Sequence, residues 1–217
     1  MNDQNALAMQ SYPARLTIDR PQTLDRVTTL LRVIWIIPIA VILALVSGDR
    51  STAAMMTESG ERVRTGGTSI EFSIAAATAL MLIFRQRYPR WWFDFQLALA
   101  KFSYRVAAYG LLLRDEYPST EDEQAVHLEL DFPDAKQLSR WLPLVKWFLA
   151  IPHYFVLVFL LAGVVVAVVI AWFAILIAGR YPRALFDYVV GVGRWLLRVQ
   201  AYAIYLVTDR YPPFSLS

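Results

Sequence analysis

One short motif occurs twice in this chain, and the distance between its two copies limits the possible folds more than any other feature of the sequence. Residues 87–94 contain Arg-Tyr-Pro-Arg followed, after two residues, by Phe-Asp, and residues 180–187 contain the same six residues with the same spacing. The match continues at the same offset of 93 residues, since Lys101, Arg105 and Tyr109 correspond to Arg194, Arg198 and Tyr202. A self-match of this length identifies a duplicated structural unit. The sequence therefore predicts two tandem copies of one architecture.

The segment ahead of the motif is also duplicated, but with a larger offset. Arg26, Arg32 and Pro38 correspond to Arg140, Lys146 and Pro152, each 114 residues later. The first copy contains the polar segment 47–68 with four glycines, which predicts an exposed loop. The second copy has only Ala162-Gly163 at this place, which predicts a tight joint between two helices.

The apolar composition indicates a membrane protein. Hydrophobic residues make up 57% of the chain and charged residues 18%, against roughly 45–50% and 25% in soluble domains. As helices, the apolar stretches 70–84 and 164–178 would each cover roughly 22 Å, less than the ~30 Å of a bilayer core. We expect four transmembrane helices in two hairpins. Two alternatives stay open: hairpins that enter the membrane only halfway, and one tilted span over residues 147–178.

These patterns predict an all-α membrane protein with two tandem repeats in the same orientation. Each repeat is expected to contain a short strand, a transmembrane or re-entrant helical hairpin, and an amphipathic helix that lies at the membrane interface. The strands around Leu16 and Leu128 are expected to pair. The predicted boundaries are a flexible tail at 1–11, repeat 1 at 12–119 with helices at about 24–46, 69–84 and 90–113, and repeat 2 at 120–217 with helices at about 137–161, 164–178 and 183–207.

The distribution of basic residues predicts the orientation of the repeats. Lys and Arg concentrate before the first helix of a repeat and after the second, whereas three Arg in loop 47–68 are balanced by three acidic residues. The positive-inside rule then places both termini and both Arg-Tyr-Pro-Arg motifs in the cytoplasm. The two repeats would be related by a pseudo-two-fold axis along the membrane normal.

The assembled motifs resemble a known family. Arg-Tyr-Pro-Arg-x-x-Phe-Asp, the Ile-Pro pairs at 37–38 and 151–152, and the Asp-x-Tyr-Pro segments at 115–118 and 209–212 are similar to a bacterial family of duplicated membrane proteins that carries only a domain-of-unknown-function label. The resemblance extends from Tyr12 to Ser215 and departs from the family in its longer loop 47–68. It implies a multi-pass protein of the bacterial cytoplasmic membrane. The family has no established activity that could be carried over to this chain.

The motif and its continuation supply the candidate site residues. They are charged residues at equivalent positions of the two repeats: Arg90, Asp94, Lys101 and Arg105, with Arg183, Asp187, Arg194 and Arg198. Two interpretations are open. Asp94 and Asp187 could pair with Arg residues and hold the repeats together, because charges near a membrane are usually paired. Alternatively, the basic residues could bind anionic lipid head groups. Pro38 and Pro152 are expected to kink their helices.

The remaining features favour a non-enzymatic role. The chain has no Cys and two His, so no metal site or cofactor is expected, and a net charge of +3 does not indicate nucleic-acid binding. His153 could relay protons or serve a structural role. Because no catalytic constellation is visible, we expect a membrane scaffold or accessory subunit that contacts lipid, a second copy of itself or a larger membrane complex. The alternative is a small oligomeric transporter or channel, which the broken helices and the repeats would also suit.

Overall fold

The computed structural model describes residues 12–47, 70–120 and 122–217. The predicted tail at 1–11 and loop residues 48–68 lie outside the described residues. The elements in chain order are β1 (Ala14–Ile18), α1 (Arg26–Ser47), α2 (Ile70–Leu80, continued by a π-helical turn at Met81–Arg85), α3 (Arg90–Gly110), β2 (Val126–Leu130), α4 (Leu142–Leu149), α5 (Ile151–Ala178) and α6 (Arg183–Ala203).

The two strands form an antiparallel pair between the two predicted repeats. Leu16 lies opposite Leu128, with Ala14 opposite Leu130 and Ile18 opposite Val126. Both strands bury these residues on the same face and expose the alternate ones. A strand that pairs antiparallel with its own copy, about one central residue pair, generates a local two-fold axis perpendicular to the sheet. The two repeats therefore meet at this ribbon.

Each strand packs on the long helix of the other repeat. The buried face of β1 covers α6, and the buried face of β2 covers α3. Arg194 on α6 donates from Nε to the carbonyl oxygen of Leu16 at 3.0 Å. Because the strands are exchanged in this way, neither repeat completes its core without the other.

The opposite side of α6 is covered by α5, and the two helices run antiparallel. Trp195 of α6 donates to Nδ1 of His153 at 3.0 Å, and Tyr188 donates to the carbonyl oxygen of Leu160 at 2.9 Å. The two contacts are seven residues apart on both helices, as expected for neighbouring helices with aligned axes. The layers therefore follow the order β1, α6, α5, and much of α6 is buried between its neighbours.

The predicted pair of helices at 137–161 and 164–178 must be corrected. Residues 151–178 form one continuous helix that passes through Ala162 and Gly163. Glycine ends a helix mainly by adopting a positive φ, which Gly179 does at 67° and Gly163 does not. Gly163 has a packing role, since a Cβ there would lie 2.4 Å from the Tyr188 hydroxyl oxygen. The chain breaks at Ala150, between α4 and α5, just ahead of Pro152.

The corresponding helix of repeat 1 bends instead of breaking. The segments Arg26–Arg32 and Ile34–Ala44 of α1 meet at 52°. Pro38 follows the bend, as expected because a proline removes the hydrogen bond to the residue four positions earlier and its ring pushes against that carbonyl group. Pro38 thus lies after a bend within α1, and Pro152 lies after the break between α4 and α5.

Candidate functional site

The two predicted carboxylates pair within their own helices. Arg90 lies 3.8 Å from Asp94 and Arg183 lies 3.9 Å from Asp187, and all four side chains are exposed. Pairs of this kind, spaced by four residues on a helix surface, contribute roughly 0.3–0.5 kcal/mol. They support the starts of α3 and α6, and the structure does not place them across the boundary between the repeats.

Three of the four basic residues that follow, Arg105, Arg194 and Arg198, donate to backbone carbonyl groups of other segments. Arg105 donates to the carbonyl oxygen of Ser119 at 2.7 Å, and Arg198 donates to the carbonyl oxygens of Ser217, at 2.9 Å, and Ser215. Lys101 is half-buried on α3. Arg198 is buried, and this burial lowers the pKa of its guanidinium. Arg105 and Arg198 therefore hold the closing segments of their repeats through backbone carbonyl groups.

A buried charge cluster occurs in each repeat, and the copies match residue for residue. In repeat 1, Arg32 pairs with Asp115 and donates to the carbonyl oxygen of Arg114 at 2.9 Å. In repeat 2, Lys146 lies 2.7 Å from Asp209 and donates to the carbonyl oxygen of Thr208 at 2.7 Å. The cations lie 4.6 Å and 5.1 Å from the ring centroids of Tyr109 and Tyr202. Each cluster therefore joins the first helix of a repeat to the segment that closes it.

The second carboxylate oxygen of each cluster binds a backbone amide. Asp115 accepts from the N–H of Asp25, and Asp209 accepts from the N–H of Ser139, both at 2.7 Å. A carboxylate near a helix start satisfies N–H groups that have no partner within the helix. Each Asp thus uses one carboxylate oxygen in an ion pair with the buried cation and the other in a hydrogen bond to a backbone N–H.

A strained turn directs each cluster inward. Leu112 and Leu206, which occupy equivalent positions just after α3 and α6, have φ values of 63° and 56°. The next residue then bonds back into the helix, from Leu113 to Ala108 at 2.9 Å and from Val207 to Ala201 at 3.0 Å. A leucine in this left-handed conformation costs roughly 1–2 kcal/mol, and the structure maintains it twice. The turn brings the following carbonyl group and carboxylate back onto the cation.

Repeat 1 has a polar cluster in its interior that repeat 2 lacks. Thr78 accepts from Trp92 at 2.8 Å and from Gln96 at 3.0 Å. The Tyr88 hydroxyl lies 2.7 Å from both Gln96 Oε1 and the carbonyl oxygen of Tyr205. The counterparts in repeat 2 are Ala171, Tyr181, Leu185 and Val189. Within the described part of the chain, the buried Tyr181 hydroxyl has no hydrogen-bond partner, and burial raises the pKa of Tyr181 to about 12.

His153 lies in an aromatic cluster. Its ring stacks on Phe214 with 4.0 Å between centroids, and its Nδ1 accepts the hydrogen bond from Trp195. These contacts join α5 to α6 and to the C-terminal segment, which is the structural role that the sequence allowed for this residue. No group of three or more His, Asp or Glu residues in segments 12–47, 70–120 and 122–217 is placed to hold a metal ion.

Large apolar side chains face outward along α5 and α1. Examples on α5 are Phe155, Val158, Val165, Val169 and Phe173, and all of them are exposed. Among the described helices, α5 is long and apolar enough to cross a membrane, and α1 would be a second if its two bent segments count as one. The sequence identified these stretches from hydropathy alone.

One comparison with known proteins bears on the second repeat. A family model described as a domain of unknown function (DUF4389) matches residues 140–215. The chain is similar to that family from just before α4 to the C-terminal segment. This confirms the predicted likeness to a domain-of-unknown-function family for these residues. No curated protein and no solved structure matches the chain.

Proposed function

We propose that this protein is a non-enzymatic membrane scaffold or accessory subunit, whose outward apolar face contacts lipid, a second copy of itself or a larger membrane complex. The observation that carries the proposal is the exposure of α5. This helix has 28 residues, yet only 22% of its most apolar stretch is buried inside the protein. A core helix of a soluble protein would be mostly buried, and exposed apolar surface of this extent marks a membrane or protein contact.

We further infer that the chain contains two repeats and that residues 12–119 are a diverged copy of the segment that resembles the family. The matching charge clusters support this, because Arg32 and Asp115 repeat the geometry of Lys146 and Asp209. The matching left-handed leucines support it independently. The cations of the two clusters are 114 residues apart, whereas their carboxylates and the leucines are each 94 residues apart, so separate segments recur in the same order, as duplication produces.

The order of the layers favours shallow insertion over a complete crossing. β1 follows α6 along its length, since Tyr12 lies 3.3 Å from the carbonyl oxygen of Arg198 at one end and Arg20 lies 3.1 Å from that of Tyr181 at the other. α5 is aligned with α6 in turn. If α5 stood upright in the bilayer, β1 would stand beside it and expose Arg15 and its partners Glu129 and Asp131 to lipid. Charged groups and sheet edges of that kind do not face hydrocarbon.

A helix that lies in one leaflet avoids this conflict. Its apolar face then points into the acyl chains while the polar face of the β1–β2 ribbon stays in water. This arrangement differs from the half-inserted hairpins that the sequence left open, because residues 151–178 form one helix. It keeps both Arg-Tyr-Pro-Arg turns on one side of the membrane. The buried cations Arg32 and Lys146 are paired within their own repeats, which favours a structural role over a transport path.

A depth measurement tests the proposal. The chain contains no Cys, so single-cysteine variants at Val158, Val165 and Ile177 can each carry one spin label in a bilayer. Outward positions along α5 should all be accessible to oxygen and shielded from a water-soluble relaxation agent, at similar depths. Thr17→Cys on the exposed face of the ribbon is the control and should be water-accessible.

Two results would contradict the proposal in different ways. Depth that increases to the middle of α5 and then decreases would indicate a complete crossing and refute shallow insertion. Water-accessible labels at all three α5 positions, together with an intact chain that is soluble without detergent, would refute membrane association. Proton or solute flux in liposomes that disappears in the Pro38→Ala and Pro152→Ala variants would support the transporter alternative.

A further inference from the structure

A basic cavity of about 660 Å³ lies between the first Arg-Tyr-Pro-Arg turn and the segment that follows β2. We infer that this cavity binds the phosphate of an anionic phospholipid head group. The inference rests on the proposed membrane association. The volume lies within the range of roughly 300–1,000 Å³ that is usual for small-molecule sites.

Three cations line the cavity, and their charges are not used elsewhere. Arg85, Arg87 and Lys136 are exposed, and none of them forms an ion pair with another described residue. The one acidic residue in the wall is Asp134, whose oxygens accept hydrogen bonds from the backbone N–H of Lys136 at 3.0 Å and from Gln137 at 3.1 Å. The cavity therefore has excess positive charge, and guanidinium groups match the geometry of phosphate oxygens.

The wall between the cations is fixed by a strained residue. Gln86 ends the π-helical turn with a φ of 47°. Its Oε1 accepts two hydrogen bonds from Arg140, at 3.0 Å from Nε and 2.7 Å from Nη2. This bridge joins the two repeats across the cavity. Arg85 and Arg87, on either side of Gln86 in the chain, are thereby held near Lys136 of the other repeat.

Much of the remaining lining is apolar, and exposed apolar side chains lie next to it on α2. Met81 and Phe132 contribute to the walls. Phe84, one turn after Leu80 on the same helix, is 77% exposed and Leu80 is 55% exposed. α2 is the counterpart of the second half of α5, so it belongs to the lipid-facing layer. A phospholipid whose phosphate lies in the cavity would therefore place its acyl chains along α2. This favours a lipid over a free phosphate as the ligand.

The equivalent place in the other half of the molecule is occupied by the protein itself. Arg20, the counterpart of Phe132, donates to the carbonyl oxygen of Tyr181 at 3.1 Å, and Arg26 donates to that of Ile177 at 3.1 Å. The counterpart of Arg85 is Ala178. The cavity therefore lies beside the first Arg-Tyr-Pro-Arg turn, whereas Arg20 and Arg26 occupy the equivalent place beside the second. Arg180, the counterpart of Arg87, provides a matched control.

The test compares lipid binding by two variants in neutral detergent. The triple variant Arg85→Gln/Arg87→Gln/Lys136→Gln removes the cavity charges, and Arg180→Gln removes an exposed charge from the equivalent turn. The probes are short-chain phosphatidylglycerol, short-chain phosphatidylcholine and inorganic phosphate. Each cation near an anionic head group is expected to contribute roughly fivefold in affinity. We therefore expect the triple variant to bind phosphatidylglycerol at least tenfold more weakly, and Arg180→Gln to bind it within about twofold of the unmodified protein.

The possible results separate the alternatives. Weak binding of phosphatidylcholine and of inorganic phosphate by the unmodified protein would support a site for an anionic lipid. Inorganic phosphate that binds as tightly as phosphatidylglycerol would overturn the lipid assignment. Equal losses in the two variants, or no loss in the triple variant, would overturn the site. Thermal unfolding of both variants checks that they fold.

A second readout keeps this inference separate from the proposed function. A spin label at Val165 in the triple variant reports whether α5 still lies in the membrane. If the label remains shielded from water while phosphatidylglycerol binding is unchanged, the cavity inference fails and membrane association stands. If the label is water-accessible in the unmodified protein as well, the proposed function fails.

Discussion

Replacement of Lys146 by methionine tests how far the fold depends on the buried charge cluster of repeat 2. The Lys146 side chain is 0% exposed and lies 2.7 Å from Asp209, whose side chain is 26% exposed. Removal of one partner from a buried pair costs roughly 3–5 kcal/mol, because the other charge stays behind unpaired. We take about 3 kcal/mol, the lower end of that range, since Asp209 keeps some contact with water.

This cost should be visible as a lower melting temperature. For a chain of this size, 1 kcal/mol corresponds to roughly 2–4 °C, so Lys146→Met should melt about 6–12 °C below the unmodified protein. Tryptophan fluorescence in a neutral detergent measures the transition. The control is Lys101→Met, the same substitution at a half-buried position, which should shift the free energy of unfolding by about 0.5 kcal/mol or less.

A double variant identifies the partner. Lys146→Met/Asp209→Asn removes both charges, while the Asn side-chain oxygen can still accept from the N–H of Ser139. It should recover more than half of the loss, because coupled residues are not additive. Lys146→Met that melts together with Lys101→Met would refute the reasoning. A double variant less stable than the single variant would show that the charge of Asp209 stabilises the fold by another route.

Three further predictions follow from local geometry. Tyr88→Phe should destabilise the protein by about 1–2 kcal/mol, whereas Tyr181→Phe should be neutral or stabilising. Of these two buried hydroxyl groups, the one of Tyr88 has hydrogen-bond partners among the described residues and the one of Tyr181 has none. Thermal unfolding of the two variants measures the difference. Gly191→Ala should cost about 1–3 kcal/mol, since its Cβ would lie 2.7 Å from the Leu216 carbonyl oxygen, and chemical denaturation measures it. Val166→Arg, on the outward face of α5, should reduce the membrane-bound fraction in flotation assays without loss of helix by circular dichroism.

The sequence alone predicted a duplicated unit and the positions of most elements. Alternation at residues 128–130 predicted a strand that the structure has, and proline after the Arg-Tyr motif predicted the starts of α3 and α6 within one residue. Such signals are local, because strand alternation and helix initiation depend on residues only a few positions apart. The prediction of a joint at Ala162-Gly163 relied on the same local reasoning and was wrong, because Gly163 is explained by its contact with Tyr188 from another helix.

The candidate site was recovered only in part. The duplicated residues Arg32 and Lys146 were visible as a pair, and so were the two Asp-x-Tyr-Pro segments. Their connection was not visible, because Arg32 and Asp115 are separated by 83 residues and no local period links them. A usable signal was present: a cation and a carboxylate that are each retained in both copies within an apolar protein require partners.

What only the tertiary structure decided is which groups meet between layers. Arg105 and Arg198 look like surface cations in the sequence, and the fold commits them to backbone carbonyl groups of the closing segments. Arg85, Arg87 and Lys136 appear unremarkable in the sequence, and the exchange of strands between the repeats brings them to one cavity. Hydropathy and residue spacing predict which face of each segment is apolar. Which segments contact one another depends on how the separate elements pack to cover those apolar faces.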